Sequence, residues 1–291
     1  PIEFEEEVFL MKEPDKEVLI KLFTELELRN HLNKLLSNDV VEQKKLQPKS
    51  IQGSLFDDVV EEPIVQNNLT PTFSNIKTVE HEYITINNAK DIETLIKKLS
   101  SVTEFCFDTE TTSLDSFEAE LVGIAFAVEP HKAFYVPFPK NQNEAKILAH
   151  KFKPVFENKS IKKIGQNIKF DLMVLKNYDI DIAGDLFDTM IAHYLINPEL
   201  RHGMDYMAEI LLQYQTVHIE ELIGQKGKHQ LNMRDVEEEK ITEYACEDAD
   251  ITLQLKQKLE QQIIENHVEK LFYEIEMPLV RVLAQMEING V

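Results

Sequence analysis

The sequence contains little cysteine, and it has no long apolar run. Its 291 residues include only two cysteines, Cys106 and Cys246. Their spacing does not fit a metal site, which excludes a disulfide-bonded scaffold and predicts a reducing, cytoplasmic location. No apolar stretch approaches the roughly 20 residues of a membrane helix, and no signal peptide opens the chain, so we expect no membrane partner.

Positive charge is also scarce. Lysine and arginine total 31 against 52 acidic residues, for a formal charge of −21. This balance argues against a general polyanion binder, because neutralising phosphates requires lysine and arginine. A nucleic-acid role therefore needs a local basic surface or bound metal ions. Residues 144–178 form one basic island, with eight lysines against three acids. Phosphate binding and ordinary solvated helix faces explain this island equally well.

The apolar pattern divides the chain into segments of different character. An amphipathic helix is predicted over residues 15–36, and a polar, proline-containing linker follows. Short strands are predicted at 83–86, 104–108, 121–128, 133–137 and 162–165. Helices are predicted at 91–99, 144–156, 168–177, 189–196, 204–213 and over most of 235–289. Strands that come first and then alternate with helices indicate a mixed sheet covered by helices.

Three short motifs bring carboxylates to this framework. Asp108 and Glu110 lie at the end of a buried strand, where residues i and i+2 face the same side. Two acids there are costly unless a cation lies between them, and a divalent metal is the usual solution. Asp171 is expected in the first turn of a helix capped by Asn167. Tyr244 and Asp248 are i and i+4 on another helix, so they share one face. Each motif alone is more typical of caps, first-turn acids and solvated surface acids.

Together the motifs are far more specific. The set Asp-x-Glu, Asn-x-x-x-Asp and Tyr-x-x-x-Asp resembles the three motifs of the DEDD exonuclease superfamily. The sequences of residues 107–114, 165–171 and 244–250 are similar to the corresponding segments of the proofreading domain in the bacterial DNA polymerase I family. Residues 275–291 resemble the opening of that family's polymerase domain, and residues 15–36 resemble the last helix of its 5′ nuclease domain.

The resemblance implies an α/β, RNase H-like fold with a mixed five-stranded sheet flanked by helices. It also implies four segments in chain order. They are the helical end of a 5′ nuclease-like domain (1–37), a flexible linker (38–79), a 3′–5′ exonuclease domain (80–265) and the start of a polymerase domain (266–291). A sequence that does not begin with Met and stops at a turn signal is expected to be an excised piece of a longer polypeptide.

The implied chemistry is two-metal hydrolysis of the 3′-terminal phosphodiester of DNA. Asp108, Glu110, Asp171 and Asp248 would be the metal ligands, for two Mg²⁺ or Mn²⁺ ions with Zn²⁺ as another option in one site. Tyr244 would orient the attacking water, because a phenol with a pKa near 10 is a poor base. The implied substrate is a single-stranded or frayed 3′ end bound by a monomer, with DNA contacts from Leu114, Gln166, Asn167, Lys169 and Phe170.

The linker contains Gln52-Gly53-Ser54-Leu55-Phe56, which resembles the short motif that docks replication proteins on the sliding clamp. Gln52, Leu55 and Phe56 would fill the clamp pocket, with a patch that packs back on a neighbouring domain as the alternative. Two other functions remain open at this stage. One is an RNA-trimming exonuclease of the same superfamily, and the other is a scaffold that binds DNA or the clamp without catalysis.

Overall fold

The computed structural model describes residues 73–225, 227 and 230–291, together with residues 18, 19, 22 and 23. The chain divides into two units, Pro1–Asn67 and Asn68–Val291. In the first unit the four described residues are helical and fall within the helix predicted over 15–36. The clamp motif with Gln52, Leu55 and Phe56 lies outside the described residues.

The second unit is built on a mixed sheet of six strands, so the prediction of five strands is wrong by one. Its spatial order is β2-β5-β4-β3-β6-β7, formed by Glu82–Thr85, Lys132–Pro137, Leu121–Glu129, Glu104–Thr111, Lys162–Gly165 and Leu186–Asp188. The central pairs β3/β4 and β4/β5 are antiparallel, and the outer pairs β2/β5, β3/β6 and β6/β7 are parallel. The additional strand is β7, whose three residues are too few to show a strand period.

A separate two-stranded ladder joins the start of this unit to a later loop. β1 is Ser74–Asn75, and it pairs in parallel with β8, Tyr214–Gln215. Ser74 and Asn75, which the sequence pattern assigns to the end of the linker, therefore form a strand.

The helices cover the sheet, as predicted for the fold class. They are α1 Ala89–Ser101, α2 Gln142–Phe156, α3 Ile168–Lys176, α4 Thr189–Ile196, α5 Met204–Met207, α6 Ile219–Ile223, α7 Glu238–Glu265, α8 Glu269–Leu271 and α9 Met277–Ile288. Residues Ala208–Leu212 and Phe272–Glu276 form π-helical turns, and Met233–Asp235 forms a 3₁₀ turn.

The core lies between the sheet and these helices. Five phenylalanines interlock there, and among them Phe126 stacks on Phe152 with ring centroids 5.3 Å apart. The 28-residue helix α7 packs against β2 to β6 and buries fifteen of its side chains. Three of the buried residues of α7 are the acids Glu247, Asp248 and Asp250. Each buried carboxylate needs hydrogen-bond donors or a cation to offset the cost of burial. The three acids differ in which of these they have. Among the described helices, none combines the length and apolarity needed to span a bilayer.

Candidate active site

Strand β3 places two of the predicted site residues. Asp108 and Glu110 lie on it two residues apart, and its register with β4 shifts between Glu110 and Thr111. Helix α7 brings Asp248 to the same place. One carboxylate oxygen from each of Asp108, Glu110 and Asp248 lies within 4.8 Å of the others. Three residues that are up to 140 positions apart in sequence therefore share one cleft.

Asp171 is brought to the neighbourhood of this cluster but is held differently. It is buried in the first turn of α3, and its Oδ1 accepts hydrogen bonds from the Thr109 backbone N–H (3.1 Å) and hydroxyl (2.5 Å). Thr109 is the residue between Asp108 and Glu110, so the strand end itself fixes Asp171. The three-residue cluster found in the described part of the chain does not include Asp171.

Burial raises the pKa values of the carboxylates in this cleft, and neighbouring negative charges raise three of them further. Burial raises the pKa of Asp108 to about 6. Burial first, and then the charges of Asp108 and Asp171, raise the pKa of Glu110. The pKa of Asp248 is raised by burial and by Asp108 and Glu110, and the pKa of Asp171 by burial and Asp108. All four groups are thus destabilised as anions, which is the condition that a bound cation relieves.

Tyr244 lies one helical turn before Asp248 and donates a hydrogen bond to its carboxylate. Burial, followed by the charges of Asp248, Glu110 and Asp108, raises the pKa of Tyr244 further above its ordinary value. The phenol therefore stays protonated at neutral pH. It can donate a hydrogen bond and orient a group, but it cannot remove a proton.

Two buried oxygens of the cluster lack hydrogen-bond donors. Among the described side chains, Glu110 Oε1 and Asp248 Oδ1 are fully buried and have no partner. A buried acceptor without a donor costs about 1–3 kcal/mol, so such atoms need another role. Carboxylate oxygens are the ligands that hard divalent cations prefer. Asp108, Glu110 and Asp248 thus have the donor chemistry and proximity of a divalent-metal site.

The turn before α3 differs from expectation at Asn167. Its side chain makes no cap hydrogen bond, and its backbone is left-handed, with φ 57°. The cap is supplied by Asp188, whose carboxylate accepts from the N–H groups of Asn167 (3.3 Å) and Ile168 (2.8 Å). The same carboxylate caps α4 by accepting from Met190 and Ile191. The capping role predicted for Asn167 is therefore wrong, and Asp188 is the residue that sequence reasoning missed.

The other candidate DNA contacts lie around this turn and on the β3–β4 loop. Leu114 is 91% exposed on that loop, while Phe170 is half-buried and packs against the core. The amide of Gln166 is engaged within the protein, since it donates to the His202 carbonyl (2.9 Å) and accepts from the Thr189 hydroxyl. Lys169 forms an ion pair with Glu287. Leu114 and Asn167 are thus the two exposed residues of the five.

Most of the basic island is occupied by partners inside the protein. Lys163 is fully buried and donates to three backbone carbonyls. Five more lysines form ion pairs, namely Lys146 with Asp179, Lys153 with Glu157, Lys162 with Glu260, Lys169 with Glu287 and Lys176 with Asp181. The eight lysines of the basic island therefore do not provide eight unpaired cations on the surface.

The sequence also matches proteins of known family. Residues 83–264 match the 3′–5′ exonuclease family. DNA polymerase I of Borreliella burgdorferi is 34% identical over 266 residues, which cover 89% of this chain and 28% of the relative. DNA polymerase I of Pseudomonas aeruginosa is 34% identical over 96% of this chain and 29% of the relative. The chain thus spans less than a third of the length of these two relatives.

Solved structures show the same fold at lower identity. Brucella melitensis NrnC superposes with a TM-score of 0.56 at 22% identity, over 72% of this chain and 94% of that one. The catalytic core of RRP6 from Trypanosoma brucei superposes with a TM-score of 0.54 at 18% identity, over 69% of this chain and 54% of that one. These similarities confirm the RNase H-like exonuclease fold.

Proposed function

Since the chain belongs to the 3′–5′ exonuclease family, we propose that it removes nucleoside monophosphates from 3′ ends of DNA as the proofreading portion of a DNA polymerase I. The observation that carries this proposal is the cluster of Asp108, Glu110 and Asp248, in which one carboxylate oxygen from each residue lies within 4.8 Å of the others. Among the described side chains, Glu110 Oε1 and Asp248 Oδ1 are also buried without donors. A non-catalytic scaffold would have no use for such a cluster, which costs folding stability.

In the mechanism we propose, the four carboxylates would hold two divalent ions, Mg²⁺ or Mn²⁺. Asp108, Glu110 and Asp248 would hold one ion, and Asp171 with Asp108 would hold the other. When bound, such ions lower the pKa of a water molecule and stabilise the leaving 3′ oxygen. Tyr244 keeps its proton and, with Glu110, positions the attacking water. Thr109 keeps Asp171 in place through its two hydrogen bonds.

The proposed substrate is a single-stranded or frayed DNA 3′ end. Leu114 is available to contact a base, because it projects into solvent from the loop that begins just after Glu110. Gln166 and Asn167 lie in the turn before α3, and Phe170 lies in its first turn beside Asp171. In this arrangement Gln166 shapes the turn through His202 and Thr189, and a strand would meet the backbone that this turn presents.

The polymerase-related assignments are part of the same proposal. We propose residues 80–265 as the exonuclease domain, 266–291 as the start of a polymerase domain and 1–37 as the end of a 5′ nuclease-like domain. A cytoplasmic monomer that docks on the sliding clamp through residues 52–56 is the cellular setting that we infer from the sequence. Binding of a peptide spanning Ile51 to Asp58 to a clamp, compared with a peptide carrying Leu55→Ala and Phe56→Ala, tests the last point.

Release of nucleotides from labelled single strands tests the central proposal. We expect mononucleotides from the 3′ end of a DNA oligonucleotide in Mg²⁺ or Mn²⁺, and none in chelator. An RNA oligonucleotide of the same sequence distinguishes the RNA-trimming alternative. Faster release from RNA than from DNA would contradict the proposed substrate, and no metal-dependent release from either would contradict the enzyme.

A further inference from the structure

A contact between two distant parts of the chain involves the basic residue that lies nearest to Asp171 in sequence. The Lys169 ammonium forms an ion pair with the Glu287 carboxylate. Lys169 lies in the first turn of α3, two residues before Asp171. Glu287 lies on α9, outside the residues 83–264 that match the exonuclease family. A residue beyond the matched domain thus neutralises a cation in the same helical turn as Asp171.

Helix α9 is fastened to the domain, so Glu287 is presented in a defined position. Met277, Val280 and Ala284 are its buried residues. Arg281 donates to the backbone carbonyls of Ile182 and, at 2.6 Å, Gly184. Because a charged donor that satisfies two carbonyls holds a helix in register, the approach of Glu287 to Lys169 depends on the docking of α9 and not on one flexible side chain.

The ion pair is exposed enough for another anion to replace Glu287 at Lys169. The side chains of Lys169 and Glu287 are 32% and 40% exposed. Pairs at such exposure contribute little stability, and a competing anion can therefore replace one partner. Phosphate is an anion that can take the place of a carboxylate on lysine. Among the paired lysines of the basic island, Lys169 is the one in the same helical turn as Asp171.

We propose that Glu287 acts as an internal competitor for phosphate at Lys169, so that α9 regulates how tightly the exonuclease site holds a DNA strand. This inference rests on the proposed function. A strand that enters the site exchanges the carboxylate of Glu287 for one of its phosphates. Any displacement of α9 would free Lys169 and strengthen strand binding.

Binding of a 5′-labelled oligothymidylate to four proteins tests the proposal, in chelator so that no cleavage occurs. The proteins are wild type, Glu287→Gln, Lys169→Gln and the double variant, with Glu274→Gln as a control. Glu274 is an exposed acid of the same C-terminal segment, so its removal changes the net charge equally. We expect Glu287→Gln to bind about two- to fivefold more tightly at low salt. Its log Kd should depend more steeply on log salt, by up to about 0.7.

The double variant decides whether the gain acts through Lys169. We expect Glu287→Gln to have no effect in the Lys169→Gln background, and Glu274→Gln to have a smaller effect than Glu287→Gln. The inference is overturned by unchanged affinity in Glu287→Gln, by a gain equal to that of Glu274→Gln, or by a gain that persists without Lys169. Failure of the proposed function would look different, since wild type would then release no nucleotides in Mg²⁺ whatever the four affinities are.

Discussion

Two buried aspartates on one helix differ in what surrounds them. On α7, Asp250 accepts hydrogen bonds from the Tyr83 hydroxyl (2.8 Å), the His131 backbone N–H (2.8 Å) and the Gln254 amide (2.9 Å). Asp248 lies two residues earlier, is also buried, and keeps one oxygen that has no donor among the described residues. Glu247 resembles Asp250, because the Tyr214 hydroxyl and the Val217 N–H satisfy it.

The difference separates acids that hold the fold from acids that hold an ion. Asp250 and Glu247 tie β2, the β4–β5 turn and the β8 segment to the long helix through donors that the protein supplies. Asp248 faces Asp108 and Glu110, which repel it, and receives one hydrogen bond from Tyr244. Burial alone therefore does not identify a functional carboxylate, whereas burial without enough donors does.

Loss of a ligand at the cleft should have the largest effect. Asp108→Ala is expected to lower the rate of nucleotide release by about 10²- to 10⁴-fold, because bound metal supplies several kcal/mol of transition-state stabilisation. The measurement is single-turnover release from labelled single-stranded DNA. A circular-dichroism spectrum that matches wild type would show that the fold is intact, and near-normal rates would contradict the assignment of Asp108.

Removal of a charge that holds the fold should affect stability instead. Asp250→Asn replaces an acceptor with a group that cannot accept all three hydrogen bonds. It is therefore expected to lower the free energy of unfolding by about 1–3 kcal/mol. Urea unfolding should show this loss equally in chelator and in Mg²⁺. A loss that appeared only in Mg²⁺ would place Asp250 in the metal site and remove the contrast with Asp248.

The pH dependence of stability should sharpen the contrast further. The pKa of Asp108 is about 6 in the folded protein and 3.8 for an ordinary aspartate. Between these values the unfolded chain binds fewer protons, so the metal-free protein loses stability as pH rises, by no more than about 1.4 kcal/mol per pH unit from this group. Below pH 3.8 and above pH 6 this contribution is constant.

Asp108→Asn removes this titration. In chelator, its free energy of unfolding relative to wild type should therefore rise between pH 4 and 6. Urea unfolding at half-unit pH intervals measures this difference. A flat difference across the range would mean that Asp108 has an ordinary pKa in the fold.

Local patterns predicted most of the elements but not their partners. The strands near 83–86, 104–108, 121–128, 133–137 and 162–165 and the long helix before residue 265 are present within a few residues, because alternation and helical spacing are properties of the local chain. β7 has three residues, and only its pairing with β6 makes it a strand. The sixth strand therefore could not be read from spacing.

In the site too, sequence patterns predict residues but not the tertiary contacts that position them. The three motifs and their resemblance to the DEDD exonucleases predict Asp108, Glu110 and Asp248, and the structure brings them together. The sequence pattern predicts the adjacent Asn167 as the cap of α3, yet the cap comes from Asp188, which lies 20 residues beyond the helix start. The link from Thr109 to Asp171 and the pairing of Lys169 with Glu287 likewise depend on tertiary structure. Contacts across long sequence separations leave no periodic signal, so the sequence alone could not predict them.

The central claim is that the cleft acids are destabilising until a divalent ion binds them. Thermal melts of wild type and Asp248→Asn, each in chelator and in Mg²⁺, test it most directly. In chelator, Asp248→Asn should be as stable as wild type or more stable, because it removes one of several repelling charges.

In Mg²⁺, wild type should gain stability by mass action, about 2.7 kcal/mol at a hundredfold excess over the dissociation constant, and the variant should gain much less. Asp250→Asn serves as the matched control and should keep the full gain from metal. Parallel melts with no shift in Mg²⁺ for wild type and Asp248→Asn would contradict the account.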